Sequence, residues 1–514
     1  MSIKRNYTMS NKLVIFNLSV TLELKEQNII DQLEQFLDKF YTVKQTAFGS
    51  QKTVEKKVYA GTLANKHIYQ LHSNQFGHFH HYLKERSIPL MFTEKNDYRD
   101  YYTPQANMKV RSNWSLRDYQ KPVYDFLLNK PYKSKLVPMQ TGSGKTATFL
   151  ITAETLKKRI GIVILSRFID KWASDITTIH DAIPKDIMVV RGAKQLQAMI
   201  SMAKANEFHL NYVIFSAETL QSYISNYESD PEGTIDYYGC SPLELFPLLG
   251  IGVMLNDETH MSFHLVYKIL IYTNVEFQVG LSATLLSDDS VVTRMHNIVY
   301  PTNYVYKADS YNRYIDVYPV GYTIGEHFRK FVKVTPYGST VYSHIAFEQS
   351  VTRKDFLRDK YVKIIYSTLK DYYLEHYLPQ DKAIIFVATI KFATELTDYL
   401  STVLENKTVK RYCEDDPYDN LMTADVIVTT VLSAGTGVDI PNLRVGIQTV
   451  SISSTPSNIQ SLGRLRKLPD RDVKFCYLYA ENIAKQKEYH MRRMDLFRDK
   501  VANIHMYKSR YNLI

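Results

Sequence analysis

The sequence predicts an α/β protein: two tandem parallel-sheet units preceded by a small α+β domain. Three observations carry that prediction. Short apolar runs at 160–165, 212–215, 251–255 and 279–281 alternate with helical segments, the signature of buried parallel strands. The same pattern restarts after residue 380, with runs at 383–387, 426–428, 445–450 and 473–479. Residues 13–95 instead mix strand-like and helix-like stretches without that regular alternation. A length of 514 residues suits about three domains.

Taken in order, 13–24 reads as a β-run, and Ile29, Ile30, Leu33, Phe36, Leu37 and Phe40 recur at helical spacing. Strand-like stretches at 42–47, 57–62 and 67–72, a helix at 76–86 and a strand at 90–93 complete a β-α-β-β-β-α-β unit. The Tyr-rich stretch 95–113 is polar and lacks a period, which predicts a linker. The expected division is an accessory domain over 1–95 with a possible nucleic-acid role, a linker over 96–114, a first α/β unit over 115–300 and a second, with C-terminal helices, over 301–514. The two units join through about 286–312. Further on, 331–335 and 339–347 flank Pro336-Tyr337-Gly338 as two β-rich runs around a turn. Such a hairpin could wedge a duplex apart, but ordinary strands edging the second sheet are the favoured reading.

Composition narrows the function classes. Hydrophobic residues make up 45% and charged residues 23%, which argues against a largely disordered chain. Lys and Arg outnumber Asp and Glu by 63 to 53, so a polyanion is a suitable partner. Three cysteines far apart in sequence form neither a disulfide framework nor a zinc cluster of the usual spacing, and a reducing, intracellular setting is expected. No run reaches the ~18 apolar residues of a membrane span, and no cleavage site follows the first apolar run. His72, His78, His80 and His81 invite a metal reading, yet 78, 80 and 81 spread around a helix axis instead of converging.

The sharpest local signal is Met139-Gln140-Thr141-Gly142-Ser143-Gly144-Lys145-Thr146. Glycines let backbone N–H groups approach phosphate oxygens, Lys145 reaches the outer phosphates, and the Thr146 hydroxyl suits Mg²⁺. A helix starting here points its positive end at the phosphates. Met139 stands where the strict pattern has Gly. The second signal is an apolar strand, 251–256, ending in Asp257-Glu258-Thr259-His260. A carboxylate at the C-terminal end of a buried strand sits in the ligand crevice of an α/β sheet. Asp257 can hold Mg²⁺ and Glu258 can deprotonate an attacking water. The bland alternative is an acidic first turn of a helix.

Leu116-Arg117-Asp118-Tyr119-Gln120, the phosphate loop, the DETH sequence, Ser282-Ala283-Thr284 and Gln460-Ser461-Leu462-Gly463-Arg464 follow one another in the order seen in superfamily 2 helicases. Over about 115–480 the chain resembles that superfamily, most of all the phage branch-migration helicases of the UvsW type, and more distantly RecG and XPB. The small N-terminal unit resembles the domain preceding the motor in the UvsW type, by pattern alone.

The resemblance implies two RecA-like units with ATP and Mg²⁺ held between them. It implies nucleotide contacts by Arg117, Gln120, Thr141, Gly142, Ser143, Gly144, Lys145 and Thr146, with Gln120 reading adenine. Val431 to Pro441 resembles the fifth motif, where Gly437 and Asp439 face the nucleotide, and Gln460 joins them. Arg464 resembles the arginine finger, worth ~10³–10⁵ in rate where it acts. Lys145, Asp257, Glu258 and Arg464 are thus the implied catalytic set, with Thr146 and Asp257 on the metal. His260, Ser282 and Thr284 would couple nucleotide state to nucleic-acid grip. The sixth motif departs from its family pattern. Position 467 is Lys where a second Arg is usual, and Arg466 lies one residue early. One residue turns a helical side chain by about 100°, so Arg466 and Lys467 do not share a direction.

Through the resemblance, Ser166, Arg167, Arg191, Gly192 and Ser216 in the first unit and Thr389, Thr429 and Thr430 in the second are expected at the nucleic acid. Small hydroxyls and backbone N–H groups at strand ends suit phosphates and read no bases. The expectation is a monomeric ATP-dependent DNA helicase or translocase, stimulated by nucleic acid. It would act on single-stranded, forked or branched DNA in recombination, replication or repair. The alternatives are an RNA helicase or transcript-release ATPase, a double-strand translocase that separates no strands, and a nucleic-acid-binding scaffold without catalysis.

Overall fold

The computed structural model describes residues 11–46, 53–58, 60–64, 67–129, 131–139, 142–259, 263–282, 289–307, 313–413, 416–431, 433, 440–506 and 511–513. They form two compact units. The first takes in the described residues of 1–46, 53–139 and 144–307, and the second those of 308–514 with 140–143.

The N-terminal part of the first unit is a mixed sheet. β1 (Lys12–Ile15) and β2 (Ser19–Glu23) pair as an antiparallel hairpin, so the run 13–24 is two strands with Asn17 in the connection. β3 (Thr42–Thr46) and β4 (Thr53–Lys57) form a separate ribbon. β5 (Gly61–Leu63), β6 (Ile68–His72) and β7 (Glu94–Asp97) complete the order β5-β6-β2-β1-β7. The strand expected at 90–93 lies a few residues later, as β7, where β1 offers it a parallel partner. Helices Gln27–Tyr41 and Ser73–Glu85 pack on this sheet through an apolar stripe of Ile29, Ile30, Leu33, Phe36, Phe79 and Leu83.

This small sheet is docked on the rest of the first unit by buried polar groups. The Asn274 Oδ1 accepts from Asn17 N (3.1 Å) and Asn17 Nδ2 (3.0 Å). Gln70 Nε2 donates to the Ile271 carbonyl at 2.5 Å, and Asn74 Nδ2 to the Ile298 carbonyl at 2.7 Å. A Cβ on Gly61 would lie 2.3 Å from the Tyr272 hydroxyl, so only glycine allows this approach. Residues 98–113 are a strap rather than a free linker. Tyr101 donates to the Ile251 carbonyl at 2.7 Å and accepts from Glu276 N at 3.1 Å, while Ala106 and Met108 are buried. Its few apolar contacts are too widely spaced to leave a period in the sequence.

Six strands form the main sheet of the first unit: β8 (Ser134–Pro138), β9 (Arg159–Ile164), β10 (Ile187–Val190), β11 (Tyr212–Ser216), β12 (Ile251–Asn256) and β13 (Phe277–Ser282). Their order is β10-β11-β9-β12-β13-β8, all parallel. Apolar clusters cover both faces, which is why these strands read as continuous apolar runs.

The second unit repeats the plan with β14 (Ile315–Ile324), β15 (Lys382–Val387), β16 (Val409–Tyr412), β17 (Val426–Thr430), β18 (Leu443–Gln448), β19 (Val473–Ala480), β20 (Asn503–Ile504) and β21 (Tyr511–Leu513). The order is β16-β17-β15-β18-β19-β14-β20, with β21 also pairing with β14. Both sheets are RecA-like: parallel strands with helices on either side. Around Pro336 neither the favoured edge strands nor the alternative hairpin forms. Residues 331–343 carry no strand, and a helix, His344–Thr352, occupies what was expected to be the second run. Ser343 at the N-cap accepts from Ala346 N at 3.3 Å, a helix start that outweighs the β-branched and aromatic residues around it. Among the described residues no helix is long and apolar enough to cross a membrane, and no three His, Cys, Asp or Glu gather as a metal cluster.

Candidate functional site

In the first unit the helix that follows the phosphate loop, the carboxylate pair and Ser282 lie at the C-terminal ends of the neighbouring strands β8, β12 and β13. After β8 the chain turns through Gly142 (φ +81°) and Gly144 (φ +82°) before entering helix Lys145–Leu156. These left-handed conformations explain glycine at both positions. Gln120 is buried against the loop. Its Oε1 accepts from Arg117 N at 2.9 Å, its Nε2 lies 3.5 Å from the Gly144 carbonyl, and a Cβ on Gly144 would come within 2.5 Å of Nε2. Arg117 is exposed, and Ser143 and Thr146 are half-buried.

Lys145 and Thr146 open the helix, so they face the same crevice as the end of β12. Lys145 Nζ lies 3.8 Å from Glu258 Oε1, with the two side chains 9% and 19% exposed. This ammonium is buried and has no hydrogen-bond acceptor among the described residues. Asp257 is fixed from two sides: Oδ2 accepts from Trp172 Nε1 at 3.0 Å and Oδ1 from Glu258 N at 2.8 Å. Glu258 has φ +49°, a left-handed conformation that costs a non-glycine residue about 1–3 kcal/mol and is typical of functional sites. Burial, then the neighbouring Glu258 carboxylate, pushes Asp257 above the usual carboxylate range, against the pull of Lys145. A cavity of about 20 Å³ borders Asp257 and Glu258, room for a water.

A buried cation without an acceptor and a crowded carboxylate pair are what a nucleotide triphosphate with a divalent cation would satisfy. The residues present therefore fit ATP and Mg²⁺. Ser282, at the end of β13, lies between the two motifs: its carbonyl accepts from Met139 N at 3.0 Å, and the adjacent Leu281 carbonyl accepts from Thr259 N at 3.1 Å. Thr141, His260, Thr284, Gly437 and Asp439 lie outside the described residues.

The expected first-unit nucleic-acid residues converge at the ends of β9, β10 and β11. Ser166 Oγ and Ser216 Oγ are 2.9 Å apart, and both reach Glu218 Oε2, at 3.0 and 2.6 Å. Arg191 pairs with Asp170 at 2.5 Å, and Arg167 is exposed, its guanidinium 4.8 Å from the Phe168 ring. Gly192 N donates to Thr219 Oγ1 at 2.7 Å. Glu218 was invisible as a member of this group, because nothing in the spacing of Ser166 and Ser216 points to a carboxylate between them.

In the second unit Thr389 caps helix Ile390–Val403, accepting from Phe392 N at 3.2 Å. It is held there by Glu348, whose two oxygens accept from Thr389 Oγ1 (2.7 Å) and Ala388 N (2.8 Å). Thr429 departs from its expected role: it is fully buried and its hydroxyl donates to the Tyr412 carbonyl at 2.6 Å, out of reach of a phosphate. Thr430 Oγ1 lies 2.7 Å from Ser433 Oγ. Gln460 is on helix Thr455–Leu462, and Arg464 follows it, nearly buried. Arg466 and Lys467 diverge, the first half-buried with its guanidinium on the Gly463 carbonyl, the second exposed.

Residues 113–287 match a protein family described as "Type III restriction enzyme, res subunit". The match spans the phosphate loop and the carboxylate pair. No curated protein matches the sequence. Among solved structures, S. cerevisiae Dbp5 bound to RNA and ADP BeF3 is similar at 14% identity, covering 77% of this chain and 90% of its own, with TM-score 0.49. The Pyrococcus furiosus Hef helicase domain is similar at 14% identity, covering 74% and 98%, with TM-score 0.44. T4 UvsW is similar at 14% identity, covering 98% and 100%, with TM-score 0.33.

Proposed function

We propose that the chain is an ATP-dependent nucleic-acid motor, a DNA helicase or translocase that remodels forked or branched DNA. The observation that carries the reading is the Lys145 ammonium, buried and lacking an acceptor among the described residues, beside the Asp257–Glu258 pair at the mouth of a glycine loop. Lys145 would bind the outer phosphates. Glu258 would take the proton of the attacking water, and Trp172 would hold Asp257 in place for the metal. Mg²⁺ on Thr146 and Asp257 would supply neutralisation of phosphate charge. For Arg464 the proposal rests on its place in the motif order. Ser166 and Ser216 would contact phosphates, with Glu218 giving way.

The reading is tested by ATP hydrolysis with no polymer, single-stranded DNA, forked DNA or RNA. DNA should stimulate hydrolysis, forks most of all. Lys145→Ala should abolish it with loss of nucleotide binding, and Arg464→Ala should lower it about 10³-fold or more while ATP still binds. Stimulation by RNA alone would select the RNA helicase. No hydrolysis from well-folded protein under any condition would refute the motor.

A further inference from the structure

Between β14 and helix Asp355–Tyr372 the second unit carries a projection whose chemistry the nucleotide site does not use. Its base is fixed. Val332, Val334 and Tyr342 pack on the apolar core of the unit, Ser343 N donates to the Val334 carbonyl at 2.9 Å, and Ser350 Oγ bridges Lys333 N (2.9 Å) and the Lys333 carbonyl (3.2 Å). Its tip is a turn closed by Ser339 N on the Pro336 carbonyl at 3.1 Å, with Gly338 at φ +74°. That places Tyr337 at the apex with its whole surface in solvent, 106% exposed. An aromatic ring displayed so completely contributes nothing to the fold.

The surface beside the base is basic and aromatic. Phe331 and Phe356 are exposed and touch edge to face at 5.8 Å. The ammonium groups of Lys330 and Lys354 lie 5.1 and 5.9 Å from the Phe331 ring. Arg329, Lys330, Lys333, Arg353 and Lys354 are all exposed, and among the described residues none of them is in an ion pair; Asp355 and Asp359 are both engaged by Arg358. Uncompensated cations beside exposed rings match a polyanion whose repeating unit also has a flat face.

We propose that the Tyr337 projection and its surrounding cations bind single-stranded nucleic acid, an unpaired base stacking on Tyr337 while neighbouring phosphates lie on Lys330, Lys333 and Lys354. The site deepens the motor reading and rests on it, adding a place on the second unit where a strand is held. A stacked base in a duplex has no free face to offer, so the tip selects the unpaired side of a junction.

The test is fluorescence anisotropy of labelled oligo-dT and oligo-U over a range of salt, beside hydrolysis without polymer. Tyr337→Ala should weaken oligo-dT binding roughly tenfold, and Tyr337→Phe should keep it. Replacing Lys330, Lys333 and Lys354 by Ala together should flatten the slope of log K against log salt by about 2. Polymer-free hydrolysis should not change in any variant. The same losses on oligo-U and none on oligo-dT would support the site with RNA as its occupant. Wild-type affinity and slope in every variant would overturn it, as would variants that lose only binding to anionic vesicles. A chain that binds oligo-dT in this Tyr337-dependent way but never hydrolyses ATP would overturn the motor alone. Polymer-stimulated hydrolysis with indifferent variants would overturn the site alone.

Discussion

Trp172 donates to Asp257 from 85 residues away in sequence. Its Nε1–H is the only indole donor on that carboxylate among the described residues, so Trp172→Phe removes one hydrogen bond to a charged group and leaves most of the packing. A bond of that kind is worth about 1.5–3 kcal/mol, so hydrolysis should fall about 10- to 100-fold while ATP binding changes little. Steady-state rates beside a nucleotide titration would separate the two effects. Glu348 titrates where it can be measured: burial pushes it from 4.5 up to about 7, against the donors of Ala388 and Thr389. Between those values the folded unit keeps a proton that the unfolded chain releases. Stability is therefore fullest at the acid end and declines as pH rises to about 7, by roughly 3 kcal/mol in all. Calorimetry at pH 5 and pH 8 should show that decline in the wild type and much less of it in Glu348→Gln. Lys145, Asp257 and Glu258 were legible because each belongs to a contiguous motif whose spacing is its signal. Trp172 and Glu348 were not, because their roles exist only across the fold, and Glu348 sits in a helix whose N-terminal residues read as strand.

At the scale of elements, the phosphate loop tolerates little. Gly144 has φ +82°, and any side chain there meets the Gln120 amide, so Gly144→Ala combines backbone strain with a clash. Its affinity for a fluorescent ATP analogue should drop more than about tenfold, the equivalent of ~1–3 kcal/mol, with the far-ultraviolet spectrum unchanged. The buried strands β9, β11, β12 and β15 were legible because both of their faces are covered, which leaves unbroken apolar runs. The β1–β2 hairpin was hidden because its apolar residues continue across the turn at Asn17. The strap over 98–113 was hidden because its binding groups, such as the Tyr101 hydroxyl, are polar and look like a linker's.

At the scale of the molecule, the small sheet and the first RecA-like sheet share one compact unit, and the amides between them bear on stability. Asn274→Ala would leave the buried Asn17 backbone N–H without its acceptor and its side-chain amide with the Arg99 carbonyl alone, a loss of about 1–3 kcal/mol. Hydrogen exchange should then speed up in β1 and β2 and in the segment after helix Phe263–Ile271 together, rather than in the small sheet alone. Exchange confined to the small sheet would mean that it opens by itself. If the two open together, the small sheet and the sheet that carries Lys145 move as one piece. A pull on either would then be felt at once by the other.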